Sequence, residues 1–237
     1  RGGLRVLPPF QGAEGEGFAE GNADALARQA RLIDAADPEV VLVASADHLC
    51  AMDLAAVVDA HRVRRSDLTI VTTQLDRSQD PTSHALVDVN ARGGVTGLAY
   101  KPDVPPHRVA ATEVFAYDPA VLLETLHALG QAGDDLGDYG ETLVPAVIDR
   151  GNTHAHAHEG HWRDLGTPEA YLDAQLELLR PRPPLRLDDP AWPITSPAAG
   201  RVPARVERTA HVDGSWISPG AVVRGTVVGS IIGPGVV

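Results

Sequence analysis

Apolar residues along this chain fall in short runs, and their spacing alternates between helical and extended. In GNADALARQARLIDAA, Ala25, Leu26, Ala30 and Ile33 lie near helical spacing, so one helix is expected from Asn22 to about Ala36, with Gly21 and Asn22 as turn and N-cap. The run Val40–Leu49 reads as a strand buried on both faces. A helix from Leu54 to Val63 and a strand over Asp67–Thr73 follow it, which makes a βαβ unit. Strands are expected at Ala85–Val89, Val95–Tyr100 and Val109–Tyr117, then helices at Pro119–Leu129 and Glu141–Arg150. His154–Asp164 reads as one strand and Thr167–Leu179 as a helix opened by Pro168 and Glu169. The fold class is therefore α/β, with a mostly parallel, Rossmann-like sheet.

From Arg180 to about Pro203 prolines are dense, the mark of an extended linker. Beyond it the pattern changes to a six-residue period. Ile217 and Val223, Val222 and Val228, and Ile231 and Val237 are each six apart, punctuated by glycines, Pro219 and Pro234. That is the pattern of a left-handed parallel β-helix, with a glycine-rich β-hairpin as the alternative. The domains expected are 1–180, a linker over 181–205, and the truncated start of a β-helix over 206–237. Because the chain begins at Arg1 and stops at Val237 within the apolar pattern, it is expected to be an internal piece of a longer protein.

Composition narrows the function. A net charge of −12, from 32 acidic and 20 basic residues, disfavours nucleic acid as a partner. No apolar run approaches the roughly 20 residues of a membrane span, no segment reads as a signal peptide, and the one cysteine, Cys50, fits a reducing cytoplasm. Lys101 is the only lysine in a chain whose other basic residues are arginines. A lone ammonium after the strand Val95–Tyr100 suits a sugar phosphate, although a solvated loop lysine would look the same.

In an open α/β sheet ligands gather beyond the carboxyl ends of the strands. Asp47 and Asp164 both fall at such ends, and two carboxylates in one crevice suit a Mg²⁺ ion that also meets substrate phosphates. An aspartate there can equally cap a helix. Gly21 would let a nucleotide approach the backbone, or simply make a turn. His154, His156 and His158 alternate, with His161 nearby, but no cysteine or carboxylate completes a zinc set, so a solvent-facing edge is favoured.

GNADAL, the strand ending in ADH, KP at 101–102, DYG at 138–140, WRDLGTPEAY and WPI at 192–194 occur in an order that resembles the glucose-1-phosphate adenylyltransferase family of the actinobacterial sort. The resemblance covers the whole chain. It implies an N-terminal nucleotidyltransferase domain and a C-terminal left-handed β-helix. It further implies ATP and glucose 1-phosphate as substrates, ADP-glucose and pyrophosphate as products, glycogen synthesis as the purpose, and a homotetramer. By the same resemblance Asp47 and Asp164 match the Mg²⁺ ligands, Lys101 the lysine that binds the sugar phosphate, and Gly21, Asn22, Ala23 and Asp24 a segment near the nucleotide.

Several positions depart from the family pattern. Tyr100 stands where the family has the glutamate that binds glucose hydroxyls, Ala85 and Ala111 replace a glycine and a serine that contact glucose 1-phosphate, and Ala19 replaces a tyrosine. Glu113 replaces the glycine beside that serine. Each lost hydrogen bond removes about 0.5–1.5 kcal/mol. The family's Gly-rich triphosphate loop falls before Arg1, so the piece alone is expected to be inactive. A regulatory, non-catalytic subunit or a transferase for a different sugar are the alternatives.

Overall fold

A computed structural model describes residue 3 and residues 6–7, 18–132, 136–194 and 200–237. Along the chain run α1 (Asn22–Arg28), α2 (Ala30–Ala36), β1 (Val41–Ala44), β2 (His48–Cys50), α3 (Leu54–Arg64) and β3 (Leu68–Gln74). Next come β4 (Ala85–Val89), β5 (Val95–Tyr100), β6 (Val109–Tyr117), α4 (Pro119–Ala132), α5 (Leu143–Ile148) and β7 (Thr153–Ala157). The last elements are β8 (Trp162–Asp164), α6 (Pro168–Leu178), β9 (Arg205–Val206), β10 (His211–Asp213), β11 (Trp216–Ile217), β12 (Val222–Val223), β13 (Thr226–Val228) and β14 (Ile231–Ile232). Two compact units result: one holds the described residues up to Ser45 together with Met52–Glu159, the other Ala46–Ala51 and Gly160–Val237. Among the described residues no helix is long and apolar enough to cross a membrane.

In the first unit the sheet order is β5-β4-β6-β3-β7, and β1 also pairs with β6. The sheet is mixed, with most of its strands running in one direction. β1, β3, β4 and β7 share one direction, but among neighbours only β3 and β7 pair parallel; β6 lies antiparallel to β1, β3 and β4, and β5 antiparallel to β4. β6 runs between β1 and β3, so the βαβ unit closes around an inserted strand: Phe115 pairs with Val43 on one edge and Ile70 on the other.

Strand alternation sends successive residues to opposite faces. Leu68 and Ile70 of β3 join Phe115, Tyr117, Leu122, Leu126, Leu143 and Val147 in the main core, against α4 and α5. Thr69 between them points toward α3, where the buried His61 bonds its hydroxyl at 2.9 Å.

Three expected elements are divided. The single helix over Asn22–Ala36 breaks at Gln29 (φ −97°, ψ 1°), and its N-cap is Gly21 rather than Asn22, whose side-chain oxygen accepts from the Tyr139 N–H instead. Val40–Leu49 splits at Ser45–Asp47 into β1 and β2, and His154–Asp164 splits into β7 and β8. β2 and β8 leave the large sheet and pair antiparallel with each other in the second unit. That unit also contains α6 and three short parallel pairs. His211 pairs with Thr226 and Trp216 with Ile231, fifteen residues on in each case, and Arg205 with Val222, seventeen on. Ala221 and Val223 are buried there.

Burial holds the pKa of His61 below its ordinary 6.5, although Asp118 and Asp67 pull the other way; His154 and His156 are also lowered, by burial first and then by Arg64. Below 6.5 the unfolded chain takes up protons that the folded chain resists, so stability falls as pH falls through that range. The urea midpoint should therefore drop between about pH 7.5 and pH 5.5. The drop should shrink in His61→Gln; an unchanged pH dependence in that variant would contradict the assignment to His61.

Candidate active site

The two aspartates singled out by sequence come together on the β2/β8 ribbon. His48 pairs with Asp164, Leu49 with Arg163 and Cys50 with Trp162, and the Leu165 N–H donates to the Asp47 carbonyl at 2.9 Å. Asp47 and Asp164 thus occupy the same end of two adjacent strands. The Asp47 side chain is 58% exposed, with Oδ1 3.6 Å from His48 Nε2. Asp164 Oδ1 accepts from the Gly166 N–H at 2.6 Å, which fixes that carboxylate against its own turn.

The ribbon is anchored from behind. Trp162 is buried and meets His48 edge-on at 5.0 Å. Arg163 forks onto Glu177 of α6, Nη2 to Oε1 at 2.5 Å and Nε to Oε2 at 3.4 Å, and Thr167 caps α6 by accepting from the Ala170 N–H. A two-stranded ribbon alone is marginal; here α6 and this half-buried ion pair hold its strands in register. Each carboxylate offers oxygen donors of the kind a hard divalent cation accepts, and that of Asp47 is open to solvent.

A second cluster lies in the first unit, at the end of β5. Lys101 adopts a left-handed conformation (φ 44°), and its ammonium sits 4.8 Å from the centre of the Tyr100 ring. The Tyr100 side chain raises the ammonium's pKa above its ordinary value, which keeps Lys101 charged. Tyr100 donates its hydroxyl to Asp138 Oδ2 at 3.0 Å. Its ring packs against Gly140, where a Cβ would stand 2.3 Å from the nearest ring carbon.

Glu113 completes this cluster. It bulges from β6, where Thr112 to Val114 face the single residue Val71, and its φ is 56°. Left-handed backbone costs a residue with a side chain about 1–2 kcal/mol. The Tyr139 hydroxyl donates to Glu113 Oε2 at 2.8 Å, and burial, then the Glu113 charge, pushes the Tyr139 pKa upward, so it stays a donor.

The remaining predicted residues are placed differently from expectation. Gly21 (φ 125°) approaches protein backbone rather than an open site: a Cβ there would lie 2.2 Å from the Gly137 carbonyl oxygen. Ala23 is buried and donates its N–H to that same oxygen at 3.1 Å, while Asn22 holds the Tyr139 N–H at 2.6 Å. Asp24 is an i,i+4 partner of Arg28 and accepts from the Glu20 N–H, roles internal to α1. The segment 21–24 therefore supports the 136–140 turn that carries Asp138 and Tyr139. Ala85 pairs with Tyr100, and Ala111 is buried opposite Thr72. The histidines do not gather: His154 bonds Ser66, whereas His161 is in the other unit, 4.0 Å from Glu177. Asp138 and Tyr139 were visible in the sequence only as part of DYG, with nothing to mark them as partners of Tyr100 and Glu113.

Comparison with known proteins adds the family. A nucleotidyl transferase family model matches residues 5–180. The chain is 30% identical over 236 residues to a glucose-1-phosphate adenylyltransferase of Halalkalibacterium halodurans, covering 99% of this chain and 61% of that protein. It is 30% identical over 237 residues to the Thermotoga neapolitana protein of the same name, covering 99% and 56%. For the Clostridium novyi protein of that name the identity is 28% over 235 residues, covering 99% and 61%. The chain spans about three fifths of the length of these curated relatives. On the match over residues 5–180, the chain belongs to the nucleotidyl transferase family.

Proposed function

We propose that the intact protein joins ATP and glucose 1-phosphate to give ADP-glucose and pyrophosphate, in the service of glycogen and α-glucan synthesis. The observation that supports this reading is the β2/β8 pairing, in which Asp47 and Asp164, far apart in the chain, lie at the same end of adjacent strands. The names of the relatives support the choice of substrates. The sugar phosphate is itself the nucleophile: its oxygen forms a bond to the α-phosphorus of ATP as the bond to pyrophosphate breaks. Positioning and charge neutralisation then suffice, without a covalent enzyme intermediate. Asp47 and Asp164 would hold Mg²⁺, which when bound neutralises phosphate charge. Lys101 would hold the sugar phosphate.

The same reading assigns 1–180 to the transferase domain, 181–205 to a linker and 206–237 to the first coils of a left-handed β-helix. The three parallel strand pairs, with partners fifteen to seventeen residues apart, support that assignment. A cytoplasmic homotetramer completes it.

Lys101→Ala in the intact protein should raise KM for the sugar phosphate about 10- to 100-fold, as expected when one charge-assisted contact is lost, with a smaller change in kcat. An unchanged KM would remove Lys101 from the site.

One observation favours a second reading. Tyr100 and Glu113, both at positions where the family pattern has other residues, are tied into hydrogen bonds with Asp138 and Tyr139. Such a pocket fits either a different sugar 1-phosphate or a non-catalytic subunit. If glucose is the substrate, Tyr100→Glu should improve kcat/KM for glucose 1-phosphate. If the native sugar is another, it should lower turnover with that sugar. A protein silent with every sugar that nevertheless alters the rate of a catalytic partner would establish the subunit reading.

A further inference from the structure

In the first unit, the β4–β5 turn and the segment that joins α5 to β7 line a cleft of about 450 Å³, the size of a small-molecule site. The turn contributes Arg92 and Thr96, the joining segment Asp149, and β7 contributes His154. Val95 and Ile148, both buried, add apolar surface. The cleft is built on fixed parts. Asn90 Oδ1 accepts from the N–H groups of Arg92 and Gly94 at 2.9 and 3.0 Å, and the Ala155 N–H ties the turn to β7 through the Gly93 carbonyl at 2.9 Å.

The polar side chains around it are matched within the protein. Arg150 pairs with Asp67 at 3.6 Å and Glu124 at 3.3 Å, Asn152 donates to the Arg65 carbonyl and to Asp67, and His154 bonds Ser66 at 2.9 Å. Arg92 and Asp149 differ. Both are exposed, and among the described residues neither side chain makes an ion pair or hydrogen bond, with the other or with anything else. Asp149 is also poorly placed for the fold. It is the C-cap of α5, where the last carbonyls of the helix disfavour a negative charge, so helix stability gives no reason for a carboxylate there.

From these two groups we propose that the cleft binds a free α-amino acid with an aliphatic side chain. Arg92 takes the carboxylate through paired N–H donors, Asp149 takes the ammonium, and the side chain packs on Val95 and Ile148. Opposite charges that line one cleft without pairing are bridged by a molecule that carries both charges itself. None of these residues enters the transferase reading, and the proposal does not depend on it.

The test is isothermal titration of the intact protein with L-leucine, L-leucinamide, which lacks the carboxylate, and N-acetyl-L-leucine, which lacks the ammonium. Leucine should bind saturably, and each analogue about 10- to 100-fold more weakly, as expected for one lost charge-assisted contact. Arg92→Ala should remove the preference for leucine over leucinamide, and Asp149→Asn the preference over N-acetyl-leucine. Arg92→Ala should melt with the parent, and Asp149→Asn at the same temperature or slightly above it. A melting temperature well below the parent's in Asp149→Asn would give that carboxylate a structural role and overturn the proposal. So would leucine binding that is unweakened in both variants, an analogue that binds as tightly as leucine, or no saturable heat at millimolar leucine.

Discussion

Asp164→Asn in the intact protein should lower kcat for pyrophosphate release by about 10²- to 10³-fold or more, the scale seen when one preorganised electrostatic contact to a reacting group is removed. The substitution is nearly isosteric. The amide oxygen can still accept from the Gly166 N–H, and the pairing of Asp164 with His48 is made by backbone, so the ribbon should fold unchanged. What is lost is one negative charge. Asp47→Asn should act in the same direction, and its 58% exposure leaves the fold indifferent to the change. Matching circular dichroism and melting curves would show that the loss is chemical. Turnover within about twofold of the parent would remove these aspartates from the site, because a metal ligand cannot give up its charge so cheaply.

Gly21→Ala should be the most damaging single methyl in the first unit. At φ 125° a side chain is strained in any surroundings, and here the added carbon would meet the carbonyl carbon and oxygen of Gly137 at 2.3 and 2.2 Å. Both atoms are backbone, so relief requires moving the 136–140 turn and breaking the Ala23–Gly137 and Asn22–Tyr139 hydrogen bonds. A loss of about 2–4 kcal/mol is expected, seen as a melting temperature about 5–10 °C lower. Gly130→Ala provides the contrast. That glycine lies in α4 with nothing within 4 Å of its added carbon, so the substitution should be neutral or slightly stabilising. Equal melting temperatures for the two variants would contradict the close packing at Gly21.

The strands β4, β5 and β6 were legible to the residue, because each is an apolar run bounded by polar turns. Neighbours were not. Periodicity reports that Val109–Tyr117 is buried but carries no signal that it inserts antiparallel between β1 and β3, which makes the sheet mixed. It is equally silent about the changes of unit at Ser45–Ala46 and at Glu159–Gly160.

The site divides in the same way. Lys101 was conspicuous by composition, and the aspartates by their place at strand ends. The Tyr100–Asp138 and Glu113–Tyr139 bonds join residues 38 and 26 apart, with no short-range pattern to announce them. Gly21 reads from sequence as a place for a nucleotide to approach the backbone or as a simple turn, whereas the group that approaches it is the protein's own 136–140 turn. Only the fold could show that.

The most direct test of the central claim is pyrophosphate release by the whole open reading frame that contains this chain, assayed with ATP, Mg²⁺ and glucose 1-phosphate. Release that requires all three, with ADP-glucose formed in equal amount, is the predicted result. Absence of release with glucose 1-phosphate, under conditions where the protein is folded, would contradict it.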